Sequence, residues 1–205
     1  MRLWYAPRTI SVAAAIALEE AGLAHELVPV DTAGGEQNSE SYLKLNPKGR
    51  VPLLATANGT LLTETGAILE YIAACAPDAG LVPADPVAAA QLRSVMYYMA
   101  STMHVNHAHT RRGHRWARKP ESFADMTAMV PETMSDSAAF FQNACLQGHW
   151  VLGDTFSLAD IYAFVVCSWL ESDGVSLDDF PGIAAFIERM RSRASVRTVA
   201  EKGLI

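Results

Sequence analysis

The residues whose types and spacing can do chemistry cluster between Asn46 and Gly66, in Asn46-Pro47-Lys48-Gly49-Arg50-Val51-Pro52-Leu53-Leu54, Asn58-Gly59 and Leu61-Leu62-Thr63-Glu64-Thr65-Gly66. Pro47 and Gly49 punctuate a loop that enters a short apolar run at Val51. Pro52 has no N–H for a sheet ladder, so it belongs at the first residue or the edge of a strand. It also holds Val51 extended. With a cis Val51–Pro52 bond, as a tight strand entry can require, the N–H and C=O of Val51 point out of the sheet, where an extended peptide can pair with both. Asn58-Gly59 is a hairpin signal, and Leu61-Leu62 returns beside the first strand. Thr63-Glu64-Thr65 then opens a helix whose unpaired N–H groups and dipole suit a carboxylate, while the Glu64 carboxylate suits an α-amino group. A γ-glutamyl peptide meets both requirements. Piece by piece, the same stretch is an ordinary hairpin leading into a helix; the spacing carries the binding reading.

The elements that must hold this stretch read as a small α/β unit. Leu3-Trp4-Tyr5 is a buried strand stopped by Pro7, and Ser11 is placed to cap a helix with Val12, Ile16 and Leu18 on its apolar face and Gly22 at its end. Leu27-Val28-Pro29-Val30 is a second strand, parallel to the first by the crossover rule. Asp31 to Gln37 is a polar loop, Tyr42-Leu43 a short helix, and a helix from Glu64 to Cys75 completes the order β-α-β-α-β-β-α. Pro77 to Pro86 is turn-rich, and no strand signal survives beyond it. Long helical patterns cover Val87 to about Arg112 and Phe123 to Leu146, the second kinked or divided at Pro131. Ser157 and Asp160 form a capping box, with Phe156 placed to staple onto Ile161. This box is assigned to stability. Ile183, Phe186, Ile187 and Met190 form the core stripe of a helix that starts at Phe180-Pro181.

Composition excludes several function classes. The 205 residues are 50% apolar and 19% charged, with a formal charge of −6, which speaks against nucleic acid or an anionic membrane as partner. No apolar run is long enough to span a bilayer, and no h-region follows the N-terminus. Cys75, Cys145 and Cys167 are odd in number and widely spaced. Disulfide and metal frameworks are therefore not expected, and a reduced, cytoplasmic setting is. Cys75 and Cys167 sit in apolar helical contexts and read as packed core thiols.

Asn46-Pro47-x-Gly49-x-Val51-Pro52 followed by Glu64-Thr65-x-x-Ile68 resembles the glutathione-binding half of the glutathione S-transferase family, and the whole chain is similar in length and order to its bacterial Beta-like members. The resemblance implies a thioredoxin-like glutathione-binding domain over 1–76, a linker over 77–86 and an all-helical domain over 87–205 lining the electrophile site. It implies glutathione as co-substrate, no metal, a homodimer and a role in detoxification. It also implies glutathione held by Arg50, Val51, Pro52, Glu64 and Thr65, with its thiol over the start of the first helix, where the matching positions are Tyr5, Thr9, Ile10 and Ser11. Pro7, Tyr97, Ser101, His107 and Arg111 are then the residues expected around the electrophile.

Two departures matter. The Beta-like cysteine position is Ile10, so a mixed disulfide with glutathione cannot form there. Ser11 first, then Thr9 or Tyr5, remain as hydroxyls for a thiolate; Ser11 reads equally as a plain helix cap. Lowering a thiol of pKa ~8.5 by roughly two units corresponds to about 2.7 kcal/mol. Nucleophilicity falls as pKa falls, whereas positioning can contribute up to ~7–11 kcal/mol. Losing the cysteine redirects the chemistry without abolishing it. Secondly, Asp31 to Glu40 has no Lys or Arg for the glycyl carboxylate, so a cation is sought on the first long helix. There Tyr97, Ser101, His104, Ala108 and Arg111 share a face by helical spacing. His104 matches the family's glutathione-contacting histidine, and lining a cleft competes with a neutral core histidine. His104, His107 and His109 do not converge as a metal site.

Three readings follow: an enzyme that transfers the glutathione thiolate to a small hydrophobic electrophile, a binding protein that keeps the fold without turnover, and a thiol-disulfide oxidoreductase, which the absence of cysteine near residue 10 disfavours.

Overall fold

The computed structural model describes all residues, Met1–Ile205, in two compact units: Met1–Pro83 with Arg191–Ile205, and Ala84–Met190. The first is built on a four-stranded sheet of order β2-β1-β3-β4. β1 (Arg2–Tyr5) pairs in parallel with β2 (Glu26–Pro29) across the helix α1 (Ser11–Glu20). β3 (Leu53–Ala55) runs antiparallel to both β1 and β4 (Leu61–Thr63), with Leu54 opposite Leu3 and Leu62. α2 (Glu40–Leu45) precedes β3, and α3 (Thr65–Cys75) follows β4. This is the expected β-α-β-α-β-β-α order, a thioredoxin-like arrangement. α1 is buried from Ser11 to Leu18, because a run of small Ala side chains lets neighbours approach on every side. Asn58-Gly59 closes the hairpin through Thr56 to Thr60, Gly59 taking φ +85°.

The second unit is helical: α4 (Pro86–Tyr98), α5 (His104–Arg112), α6 (Pro120–Phe140), α7 (Leu158–Cys167) and α8 (Pro181–Arg191). A π-helical turn, Met99–Met103, joins α4 to α5 without a break. Pro131 does not divide α6, which runs through it as one helix. Ile183, Phe186, Ile187 and Met190 are all buried, as their spacing requires.

Two local expectations are corrected. Cys75 is exposed at the end of α3, whereas Cys145 and Cys167 are buried. The last helix, α9 (Ala194–Glu201), carried with the helical half in the sequence reading, packs against α1. Arg193 forms a two-point ion pair with Glu20, at 2.6 and 2.8 Å, and the Ser195 hydroxyl adds a third bond. Burial opposes ionisation of Glu20, but these donors outweigh it and hold the carboxyl below its ordinary range.

At the start of α7, Asp160 is fully buried and accepts from the backbone N–H of Val151 (2.7 Å) and Ser157 (2.8 Å) and from the Ser157 hydroxyl (3.1 Å). Burial still pushes its carboxyl up to about 6. Its folded value then exceeds the unfolded ~3.9, so its contribution to stability is present below about pH 4 and is lost as pH rises through about 6. Asp160→Asn puts an amide N–H against a backbone donor and is expected to cost about 1–3 kcal/mol. Urea midpoints at pH 4 and 7 check both points: the mutant is weaker at each, and the wild-type advantage is smaller at pH 7.

Candidate active site

The loop before β3 is held by its own polar side chains. Asn46 is 1% exposed; its Nδ2 donates to the Arg50 carbonyl at 2.7 Å, and the buried Tyr42 hydroxyl donates to the same oxygen at 2.8 Å. Asn46 Oδ1 accepts from the Lys48 N–H, and the Asn46 carbonyl accepts from the Gly49 N–H. Gly49 takes φ +60°, and a Cβ there would lie 3.1 Å from Asn38 Oδ1 and 3.2 Å from the Gln37 carbonyl, so glycine is required both by backbone and by space. The loop delivers Val51 with its peptide bond to Pro52 cis. The ladder begins only at Leu53, and neither the N–H nor the C=O of Val51 is hydrogen-bonded within the chain.

Glu64 precedes α3 at φ +72°, ψ +120°. Such a backbone costs a non-glycine residue on the order of 1–3 kcal/mol and is a mark of functional sites. The N–H groups of Thr65 and its two successors open the helix unpaired, as at any helix start. The Glu64 carboxylate is exposed and meets Lys48 Nζ, which also reaches the Thr63 hydroxyl at 3.0 Å. Lys48 escaped the sequence reading although it stands inside the motif: a cation three residues before Val51 was the signal.

At the start of α1 the three hydroxyl candidates differ. Ser11 is fully buried; its Oγ accepts from the Ala6 N–H (3.0 Å), donates to the Ala6 carbonyl (3.1 Å) and lies 2.7 Å from the Thr9 hydroxyl. It is the first residue of the helix, with Ile10 in the capping position. Both expectations for Ser11, helix cap and first donor to a ligand, are therefore corrected: its bonding capacity is spent inside. Thr9 is half-buried; its hydroxyl donates to the Ala6 carbonyl at 2.9 Å and accepts from the Ser11 N–H at 3.3 Å. The Ile10 N–H has no partner in the chain. Nor does the Tyr5 hydroxyl, while Pro7 is exposed. In the loop from Asp31, Asp31 Oδ1 takes the Gly34 N–H and Glu36 takes the Asp31 N–H; Gln37 Oε1 is buried without a partner.

On the second unit, the π turn inserts one residue between the two halves of the long helix. Tyr97 and Ser101 are thereby rotated about 100° from His104, Ala108 and Arg111, and the expected single face does not form. Ser101 donates back to the Tyr97 carbonyl at 2.8 Å. His104 is half-buried, its ring 5.1 Å from that of Trp169. His107 bonds Asp173.

Models of two domain families match this chain: glutathione S-transferase, N-terminal domain, over residues 1–74, and glutathione S-transferase, C-terminal domain, over 115–194. Glutathione S-transferase GstA of Escherichia coli O157:H7 is 32% identical over 199 residues, 96% of either chain. The chain belongs to the glutathione S-transferase family. A crystal structure of a glutathione transferase homologue from Sulfitobacter with bound glutathione has 57% sequence identity and a TM-score of 0.98, with 100% of this chain and 98% of that one covered. Maleylacetoacetate isomerase of Pseudomonas aeruginosa is 31% identical over 188 residues, 89% of this chain and 87% of the relative. Thus the two units are those of a glutathione S-transferase, with a thioredoxin-like half and a helical half.

Asn46→Ala removes the shorter of the two bonds to the Arg50 carbonyl and leaves a buried gap. The expected cost is about 1–3 kcal/mol, read as a lower urea midpoint. The amide resonances of Arg50 and Val51 should move, while those of α8 stay in place.

Proposed function

We propose that this glutathione S-transferase binds glutathione along Val51 and transfers its thiolate to a small hydrophobic electrophile. The observation that carries the reading is the unpaired backbone of Val51 beside a strained Glu64 and the open N-terminus of α3, in a chain 57% identical to a homologue whose crystal structure holds glutathione. Both backbone groups of Val51 pair with the cysteinyl residue, flanked by Arg50 and Pro52. Glu64 takes the γ-glutamyl ammonium, and Thr65 with the first turn of α3 takes its carboxylate. An ammonium at Glu64 repels Lys48, which is then the cation at hand for a carboxylate of the same peptide. The sulfur lies at the start of α1, met by the Ile10 N–H and the Thr9 hydroxyl, with Tyr5 as a further donor and Ser11 holding the loop from beneath. In the step itself, sulfur donates a pair to the electrophilic carbon, and the leaving group departs with its own.

On the helical unit, the π turn sets Tyr97 and Ser101 on a face apart from that of His104, His107 and Arg111. An isomerisation shares the same bound thiolate, and the relationship to maleylacetoacetate isomerase favours it as a variant of the reaction. A second reading, binding without turnover, is favoured by Ile10 in the place of a thiol. We also infer a homodimer; sedimentation velocity at twice the monomer mass supports it, and a monomer removes it. No helix is long and apolar enough to cross a membrane.

Calorimetry with glutathione and turnover of an aryl halide test the assignment. Glu64→Gln is expected to weaken glutathione binding at least tenfold, the size of one charge-assisted hydrogen bond. Binding without turnover across a panel of electrophiles leaves the second reading; wild-type binding that Glu64→Gln does not alter removes both.

The roles given to Thr9 and Ser11 separate in two variants. Thr9→Val should raise the pKa of bound glutathione, followed by thiolate absorbance, and its melting temperature should fall less than that of Ser11→Ala, because Ser11 still donates to the Ala6 carbonyl when Thr9 is lost. Ser11→Ala should instead lose about 1–3 kcal/mol of stability, seen in urea unfolding.

A further inference from the structure

A second cluster of chemistry-bearing side chains lies wholly within Ala84–Met190. The carboxylate of Asp173 is 1% exposed. It faces His107 Nδ1 at 2.7 and 3.0 Å and the Thr110 hydroxyl at 3.3 Å. An ionised carboxylate only accepts, so Nδ1 carries the proton, and the lone pair of the neutral ring is on Nε2. Nε2 has no partner in the chain, and the His107 side chain is 29% exposed. Trp169 fixes the ring plane, stacked on it at 4.2 Å and 21°. His104 packs on the same indole. Arg111 is exposed and without a partner in the chain, and it stands four residues after His107 on α5. That spacing brings the two Cβ atoms to ~5–6 Å on one face.

Partnering a buried carboxylate accounts for Nδ1 alone. A permanently charged Arg would do that at any pH and with two bonds. What it would not supply is a basic nitrogen held in one tautomer and one plane, open to solvent, with a free guanidinium one turn away. Those are the parts of a general base with a carboxylate anchor.

The geometry points to a second catalytic function: His107, oriented by Asp173, is a general base that tautomerises a small 2-oxo carboxylic acid held by Arg111. The acid's carboxylate meets the Arg111 guanidinium, which leaves the C–H next to its carbonyl over Nε2. Nε2 takes that proton, the C–H pair becomes the C=C bond of the enolate, and the carbonyl pair moves to oxygen. The imidazolium, facing the Asp173 carboxylate, then returns the proton to that oxygen. No electrons are exchanged and no thiol takes part. Asp173 is a positioning residue; His107 and Arg111 touch the substrate.

The test uses the full chain without glutathione, so its outcome is separate from that of the thiol-transfer reading. The probe is phenylpyruvate, whose enol absorbs in the ultraviolet and whose C3 hydrogens exchange with deuterium, visible by NMR. Expected are saturable acceleration over buffer, loss of roughly 10²-fold or more in kcat in His107→Gln, and a severalfold or greater rise acting mainly on KM in Arg111→Ala. Asp173→Asn keeps the shape and should lower kcat about tenfold with KM little moved; circular dichroism melts identify any variant that fails to fold. His107→Gln and Arg111→Ala alter partly exposed side chains, so they decide the matter even if Asp173→Asn unfolds. Absence of acceleration in the wild type, binding of phenylpyruvate without exchange, or full kcat in His107→Gln would each overturn the proposal.

Discussion

The first unit depends on one carbonyl oxygen. Arg50 O accepts from both Asn46 Nδ2 and the Tyr42 hydroxyl, and both donors are buried. A net hydrogen bond contributes only about 0.5–1.5 kcal/mol, but a buried partner left unpaired costs about 1–3. The two donors therefore have little freedom to release the oxygen. Because Arg50 is held, its successor is the first residue free of the loop and the last outside the ladder, and Val51 is left with both backbone groups open. The glycine at 49 follows from the same anchoring: the chain must turn with φ +60° while passing close to the Gln37 carbonyl. An exposed pairing edge is ordinarily a hazard; here it is a single residue long, too short for another chain to extend a sheet upon.

The other pole of the site rests on a comparable economy of hydrogen bonds. Ser11 and Thr9 both turn their hydroxyls to the backbone of Ala6, which leaves the Ile10 N–H uncommitted. The chain's end stabilises the same loop from outside: the Arg8 N–H, at a left-handed φ of +57°, donates to the Leu204 carbonyl at 2.8 Å. α9 is in turn fastened to α1 by Arg193, Ser195 and Glu20, and by Lys202 and Glu19. A loop that would otherwise pay for its backbone strain alone is thus coupled to a helix nearly two hundred residues away.

These couplings set what could be read in the sequence. Element order, the hairpin and the stripe on α8 are local: turn residues and periodicity decide them, and they stand as expected. The motif from Asn46 to Thr65 was legible for the same reason, its parts lying within one hairpin. Long-range and saturation effects were not. Nothing in the spacing of Ser11 shows that Ala6 consumes its hydroxyl, and nothing in Arg193 names Glu20. The π turn at Met99–Met103 is invisible to a rule that counts 3.6 residues per turn, so the face joining Tyr97 to Arg111 was drawn across a dislocation. Pro131 breaks nothing: α6 runs through it as one helix and forgoes a single N–H bond there. Cys75 looked apolar because its neighbours are, yet it closes the helix on the solvent side.

In the reaction proposed, Ile10 puts the chemistry of the first unit in the backbone. A cysteine there would contribute a reactive sulfur of its own; an isoleucine, 6% exposed, contributes only its N–H and an apolar wall. A helix N-terminus stabilises a negative charge through dipoles that the fold has already oriented, and such dipoles need no reorganisation when the thiolate forms. They do so without competing as nucleophile or forming a disulfide with the peptide they hold. The trade is a weaker pull on the thiol's proton for a sulfur whose only covalent outlet is the second substrate. On that argument the substitution narrows the reactions open to the site, and it leaves untouched the groups proposed to bind the peptide at Val51 and Glu64, which owe nothing to residue 10.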